Sequence, residues 1–220
     1  MEELTASREV EAVIFDVDGT LVASDPVHVA AFRWTLERYG YRLDPTPFLG
    51  LSTDEAFRRM VPGLSDDAIE RLVAEKRERA TELFGTSQIL RPGAVQLLQD
   101  LSVDFRLALC SSGSRRTVDV AARQGLPLRC IEVTVTAEDC TQSKPHPEPY
   151  RRCLDLLGLR ADQALAVEDT ATGAQASHAA GIRTVFVDTA DTPQGLPEGT
   201  TVVRGLDGVW AAIEYVRNGQ

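Results

Sequence analysis

The sequence predicts an α/β fold in which a doubly wound parallel sheet is interrupted by a small helical insertion. Three observations predict it. Short apolar runs bounded by turn residues recur along the chain, as strands buried on both faces do. Helical stretches lie between several of them, each closed by a glycine. Between Asp25 and Ile89 the alternation stops and only helical signals remain. With about 150 residues to a domain, a chain of 220 residues fits one core plus an insertion.

The first strand is read over Val10–Phe15, a run that stops abruptly at Asp16. Asp25-Pro26 reads as N-cap and first helical residue of a helix reaching about Tyr39, ahead of Gly40. Ser52 with Glu55 three residues later forms a capping box for a second helix. Ser65 caps a third, whose Ile69, Leu72, Val73, Ala80, Leu83 and Phe84 share one face before Gly85. Strands follow at Leu107–Cys110, Ile131–Val135, Ala164–Val167 and Thr184–Val187. Helices over Thr117–Gln124, Pro147–Leu157 and Ala171–Ala180 precede Gly125, Gly158 and Gly181, where a helix end favours a left-handed residue. The order implies a Rossmann-like core of residues 1–23 and 90–220. Residues 24–89 form the inserted helical domain, joined by linkers near Ala23–Ser24 and Thr86–Gly93.

Composition excludes several classes of function. The 23 basic and 33 acidic residues give a net charge of −10, which opposes nonspecific binding to nucleic acid or adhesion to anionic membranes. No stretch approaches the roughly 18 apolar residues of a membrane span. Met1-Glu2-Glu3-Leu4-Thr5 is acidic where a signal peptide is first basic and then apolar. Cys110, Cys130, Cys140 and Cys153 form neither a C-x-x-C pair nor a zinc-like spacing, so reduced thiols in a cytoplasmic protein are expected. The basic residues comprise 21 arginines and two lysines, Lys76 and Lys144. A chain so biased to arginine makes the place of each lysine informative, because a compact ammonium differs chemically from a guanidinium fork.

Open parallel sheets bind ligands beyond the carboxyl ends of their strands, so the residues there are the candidates. The first strand ends in Asp16-Val17-Asp18-Gly19-Thr20, two carboxylates followed by a turn-permitting glycine. The second ends in Ser111-Ser112-Gly113-Ser114 and enters a helix, where hydroxyls and backbone N–H groups suit an anion. Ser143-Lys144-Pro145 lies in a loop ahead of the Pro147 helix, and Ala164–Val167 ends in the adjacent acids Glu168 and Asp169. Two buried strands thus deliver carboxylates to one edge.

In this order the four elements resemble the motifs of the haloacid dehalogenase-like (HAD) superfamily, in its helical-cap branch of sugar-phosphate phosphatases and β-phosphoglucomutases. The resemblance covers nearly the whole chain, and the helical insertion matches that branch's cap in position and type. It implies an aspartyl-phosphate mechanism with Mg²⁺. Asp16 would be nucleophile and metal ligand. Asp18 would be the acid and base, its backbone carbonyl on the metal. Asp169 would complete the ligands, with Glu168 nearby or bridging through water. Ser111, Ser112 and Lys144 would hold the phosphoryl oxygens. Dehalogenases lack the second aspartate, since a halide leaves without a proton, so Asp18 points to phosphoryl chemistry.

The same resemblance places Gly50-Leu51-Ser52-Thr53-Asp54-Glu55 on the mutase's substrate loop, with Thr53 where the mutase has an arginine on the distal phosphate. It places Lys76 on a cap lysine and His28 on a hinge-region histidine. By residue type alone, Lys76 among Glu75, Arg77, Glu78 and Arg79 reads as part of a solvated face. His28 fits a partly buried structural role, His146 a loop, and Phe32 and Trp34 the packing of the insertion. The expected function is hydrolysis of a small phosphorylated metabolite, a sugar or polyol phosphate; the alternative is a hexose-phosphate mutase. A non-catalytic relative would have lost Asp16 or Asp18, and both are present. Oligomeric state is not encoded in any motif, and a monomer fits. Asp16, Asp18, Glu168 and Asp169 sum to −4; one Mg²⁺ and Lys144 bring this to −1, so helix N-termini are expected to help hold a phosphate dianion.

Overall fold

The structure, a computed structural model, describes residues 10–48, 51, 53–188 and 194–217. The chain divides into two compact units, Met1–Val22 with Leu90–Gln220, and Ala23–Ile89. Among its described residues, the first holds six strands: β1 (Ala12–Phe15), β2 (Arg106–Cys110), β3 (Ile131–Val135), β4 (Ala164–Glu168), β5 (Arg183–Asp188) and β6 (Thr201–Arg204). They form one sheet in the order β3-β2-β1-β4-β5-β6, with every neighbouring pair parallel. The chain builds outwards from β1 to β3 on one side, then returns to β1's other edge with β4. That reversal makes the β1–β4 boundary the topological switch point, the usual place for a ligand.

Every residue of β1 and β4 is buried. On one face of the sheet, Ile14, Ala108, Cys110, Val135 and Ala166 pack against Tyr150, Cys153, Leu154 and Leu157 of the helix Glu148–Leu157. That helix ends at Gly158 in the left-handed region (φ 67°), and Gly125 and Gly181 are left-handed too. Among the described residues, two α-helices, Ala94–Leu101 and Val209–Arg217, and strand β6 lie beyond the sequence reading, as do short 3-10 turns such as Leu206–Gly208. The first of these helices starts from a glycine, Gly93, with no capping side chain. Strand β6 has only four residues on the sheet's edge, and none of them is buried. No helix among the described residues is long and apolar enough to cross a membrane.

The second unit is helical, with Asp25–Arg38, Thr53–Met60 and Asp66–Thr86. Phe32, Leu36, Phe57, Met60, Ile69, Leu72 and Val73 make its core; truncating a buried Phe such as Phe57 costs about 3–5 kcal/mol. Ser24 is the N-cap of the first helix, one residue before the predicted Asp25. Ser65 caps the third, its hydroxyl accepting from Ala68 N–H at 3.3 Å. That helix passes through Gly85 to Thr86 instead of stopping there. The predicted cap residue Ser52, and Gly50, lie outside the described residues.

Candidate active site

The register sets the geometry. Phe15 lies opposite Leu109 on one side and Val167 on the other, so Asp16, Cys110 and Glu168 leave the sheet at one level. Asp16 is 6% exposed. Lys144, from the loop between β3 and the Glu148–Leu157 helix, reaches this edge with a nearly buried side chain. Its Nζ donates to Asp16 Oδ1 at 2.7 Å, Glu168 Oε1 at 2.6 Å and the Cys110 carbonyl at 2.7 Å. The three donors of an ammonium are thereby used. Asp16 Oδ2 is buried and has no hydrogen-bond partner.

Asp18 follows on the loop. Its Oδ2 accepts from Ser111 Oγ at 3.1 Å, and Ser111 Oγ accepts from Gly113 N–H at 2.8 Å. The first and second strand ends are thus joined through Asp18. Thr20 Oγ1 donates to Asp169 Oδ1 at 3.1 Å, joining the first and fourth. Two glycines make room for these acids. Gly19 has φ 95°, and a Cβ there would also run into the Asp169 carboxylate; at Gly173 a Cβ would strike the Glu168 carboxylate. Any side chain at either position is therefore incompatible with the acids as placed.

Asp16, Glu168 and Asp169 each bring a ligand atom within 4.8 Å of the others. Such a set of hard oxygens suits Mg²⁺, and the unpartnered Asp16 Oδ2 agrees with that fit. The Asp18 carboxylate, turned to Ser111, is not part of the trio. Burial raises Asp16 well above the usual carboxylate range despite Lys144, and Glu168 and Asp169 add to it. Burial and then Glu168 push Asp169 up to about 7. Burial alone would lower Lys144, but Asp16 and Glu168 hold it well above its ordinary value. The site is an excess of buried negative charge around one ammonium, an arrangement that a divalent cation relieves.

Of the expected site residues, the structure brings Asp16, Lys144, Glu168 and Asp169 into one cluster and links Asp18 with Ser111. Ser112 is exposed. The helix N-terminus expected to receive an anion, that of Arg115–Arg123, is partly taken: the Arg115 N–H donates to both Glu138 oxygens, at 3.2 and 3.1 Å. A protein carboxylate already exploits that end of the helix. Sequence reasoning missed Tyr150 and Arg91. Tyr150 Oη, fully buried, donates to Glu168 Oε1 at 2.7 Å; its position six residues after Lys144 on an amphipathic helix was the available signal. Arg91 donates from Nε to the Gly19 carbonyl and lowers the Asp169 pKa, with nothing in its local sequence to show it.

Within the helical unit, Lys76 is 5% exposed, which corrects the solvated-face reading. Its Nζ lies 3.0 Å from His28 Nδ1 and 4.4 Å from the Phe32 ring centroid. Burial lowers Lys76 to about 8, and burial followed by the Lys76 charge lowers His28 to about 4. At neutral pH the ammonium donates, Nδ1 accepts, and the imidazole proton sits on Nε2. Thr53 opens the second helix, half-buried. His146 is a loop residue whose Nδ1 accepts from Glu148 N–H at 3.2 Å. Phe32 is buried, and the guanidinium groups of Arg38 and Arg79 lie 4.8 and 5.4 Å from the Trp34 ring centroid.

The chain is similar to known proteins over most of its length. Protein CbbY of Rhodobacter capsulatus is 34% identical over 195 residues, covering 81% of this chain and 85% of its own length. Validoxylamine A 7'-phosphate phosphatase of Streptomyces hygroscopicus subsp. limoneus is 28% identical over 208 residues, 92% of this chain and 98% of its own. The solved structure of CbbY from Rhodobacter sphaeroides in complex with xylulose-(1,5)bisphosphate superposes with a TM-score of 0.72 at 27% identity, over 90% of this chain and 94% of that one. The family model described as haloacid dehalogenase-like hydrolase matches residues 13–187, so the strand-end acids and Lys144 stand in the chain of a member of the haloacid dehalogenase-like hydrolase family.

Proposed function

We propose that this hydrolase removes phosphate from a small phosphorylated metabolite, a sugar or polyol phosphate, through an aspartyl-phosphate on Asp16. The relatives named as phosphatases support action on phosphoric monoesters. One observation carries the mechanism: Lys144 orients Asp16 through Oδ1, while the buried Oδ2 is left without a hydrogen-bond partner. Asp16 attacks phosphorus in line, the bond to the leaving oxygen breaks, and Asp18 delivers the proton that the alcohol needs. Asp18 then takes a proton from the water that attacks the acyl phosphate, returning Asp16 and releasing phosphate. The Ser111 hydroxyl and the Lys144 ammonium would each exchange one present acceptor for a phosphoryl oxygen, and Ser112 follows Ser111 on its loop as a further donor.

Asp16, Asp169 and the Asp18 carbonyl would hold Mg²⁺, with Glu168 at the ion or reaching it through water. When bound, the ion supplies charge neutralisation at the phosphoryl group. Glu168 is anchored by Lys144 and Tyr150, so its second task is to fix Lys144. The four cysteines are free thiols, which fits a reducing cytoplasm.

The helical unit, residues 24–89, acts as the cap, with His28, Thr53 and Lys76 selecting the substrate. Lys76 is a buried ammonium bonded to a neutral imidazole, an arrangement that favours an anionic group on the ligand. That observation supports the second reading, a hexose-phosphate mutase of the β-phosphoglucomutase type. One product assay separates the two. Given β-glucose 1-phosphate, a bisphosphate primer and Mg²⁺, the phosphatase releases free phosphate faster than glucose 6-phosphate. The reverse ratio establishes the mutase.

A further inference from the structure

Lys144 stands on a flexible stem in an irregular loop, yet its Nζ meets three acceptors at 2.6–2.7 Å. Three features of the loop account for that accuracy. The loop runs from Cys140 to Pro147 and is followed by Glu148, the first residue of its helix. The Glu148 carboxylate turns back along the chain and accepts three hydrogen bonds: Thr141 N–H at 2.8 Å, Thr141 Oγ1–H at 2.8 Å and Gln142 N–H at 2.9 Å. Its own N–H donates to His146 Nδ1 at 3.2 Å. Both ends of the segment carrying Lys144 are thus tied to one residue. Hydrogen bonds from the Thr141 backbone and hydroxyl lower the Glu148 pKa, so the carboxylate is the acceptor form across the neutral range.

We propose that Glu148 is a positioning residue for Lys144: it closes the loop into a ring and so fixes where the ammonium meets Asp16 and Glu168, without touching the reacting atoms. A carboxylate suits this role because it has only acceptor sites, and all three donors facing it are N–H or O–H groups. A glutamine would set an amide donor against one of them and keep only part of the ring. This inference rests on the phosphatase reading for its catalytic consequence, but not for its geometry.

The two lysines make a direct test possible. Labelling the protein with lysine carrying ¹³Cε and ¹⁵Nζ yields side-chain signals from Lys76 and Lys144 alone. In the wild type, the Lys144 signals are expected to be sharp and displaced from those of free lysine. In Glu148→Ala they should broaden and move towards the free position, and in Glu148→Gln they should move less. Lys76, in the other unit, should stay in place as the control for folding. With p-nitrophenyl phosphate and Mg²⁺, turnover by Glu148→Ala should fall about tenfold, within the range for misplacing a catalytic group, and Glu148→Gln should lose less. Unmoved Lys144 signals in both variants would overturn the proposal, as would Lys76 and Lys144 moving together or a moved Lys144 with undiminished turnover. If the wild type does not cleave the aryl phosphate, the phosphatase reading fails, while the lysine signals still decide the role of Glu148.

Discussion

The two lysines of this chain are both withdrawn from water, one in each unit, and their surroundings are opposite. Lys144 lies between two buried carboxylates, which hold it charged against the penalty of burial. Lys76 has a neutral imidazole and an aromatic ring beside it, and burial depresses it to about 8. The α/β unit therefore uses its ammonium to make a crowd of acids tolerable. The helical unit spends stability to keep an ammonium ready. A buried cation that the protein itself leaves short of negative charge is most useful where a ligand supplies it, which is why the proposed function gives chemistry to one unit and selection to the other.

Replacing each lysine by methionine tests this contrast, and the two substitutions should move stability in opposite directions. Lys144→Met leaves Asp16 and Glu168 buried without their cation. In metal-free protein it should cost about 3–5 kcal/mol in urea unfolding. Turnover of an aryl phosphate should fall by about 10²–10³, as for loss of a single preorganised donor. A neutral effect on stability would show that the carboxylates do not depend on Lys144.

The smaller effect belongs to Lys76→Met, which should stabilise the protein at pH 7 by about 1 kcal/mol, the gain from removing a buried charge less the lost contact with Phe32. Its folded pKa, about 8, lies below the unfolded value of about 10.4. Between these limits the unfolded chain binds more protons, so wild-type stability rises with pH there. The groups facing Lys76 are His28 and Phe32 across the helix pair and Arg77 on its own helix. Thermal melts of the wild type are expected to show this rise from pH 8 to 10, and Lys76→Met should flatten it. A rise as steep as the wild type's would mean another group titrates there.

Much of this contrast was legible in the sequence, for physical reasons. Buried parallel strands must be apolar throughout, so the acids ending them at Asp16 and Glu168 stand out. Lys144 stood out because lysine is scarce. Lys76 was misread because four charged neighbours suggested a wet face, although residues 69, 73, 76 and 80 share one side of a helix and the other three are apolar. That spacing carried the correct signal. Arg91 was not legible as a site residue because the fold brings its partner to it; Tyr150 offered only its spacing from Lys144, and the partners of Glu148, two to seven residues away, form no pattern that marks a site residue. Arg91 and Gly19 are 72 positions apart. Strand β6, four residues on an edge, is too short for its pattern to stand above background.

The central claim, that phosphoryl transfer passes through Asp16, can be read by mass spectrometry. Protein turning over an aryl phosphate in Mg²⁺ is quenched and treated with borohydride, which reduces an acyl phosphate to the alcohol. Homoserine should be found at position 16, and Asp16→Asn should show neither that product nor turnover. Turnover with unmodified Asp16, or with homoserine at another aspartate, would contradict the account.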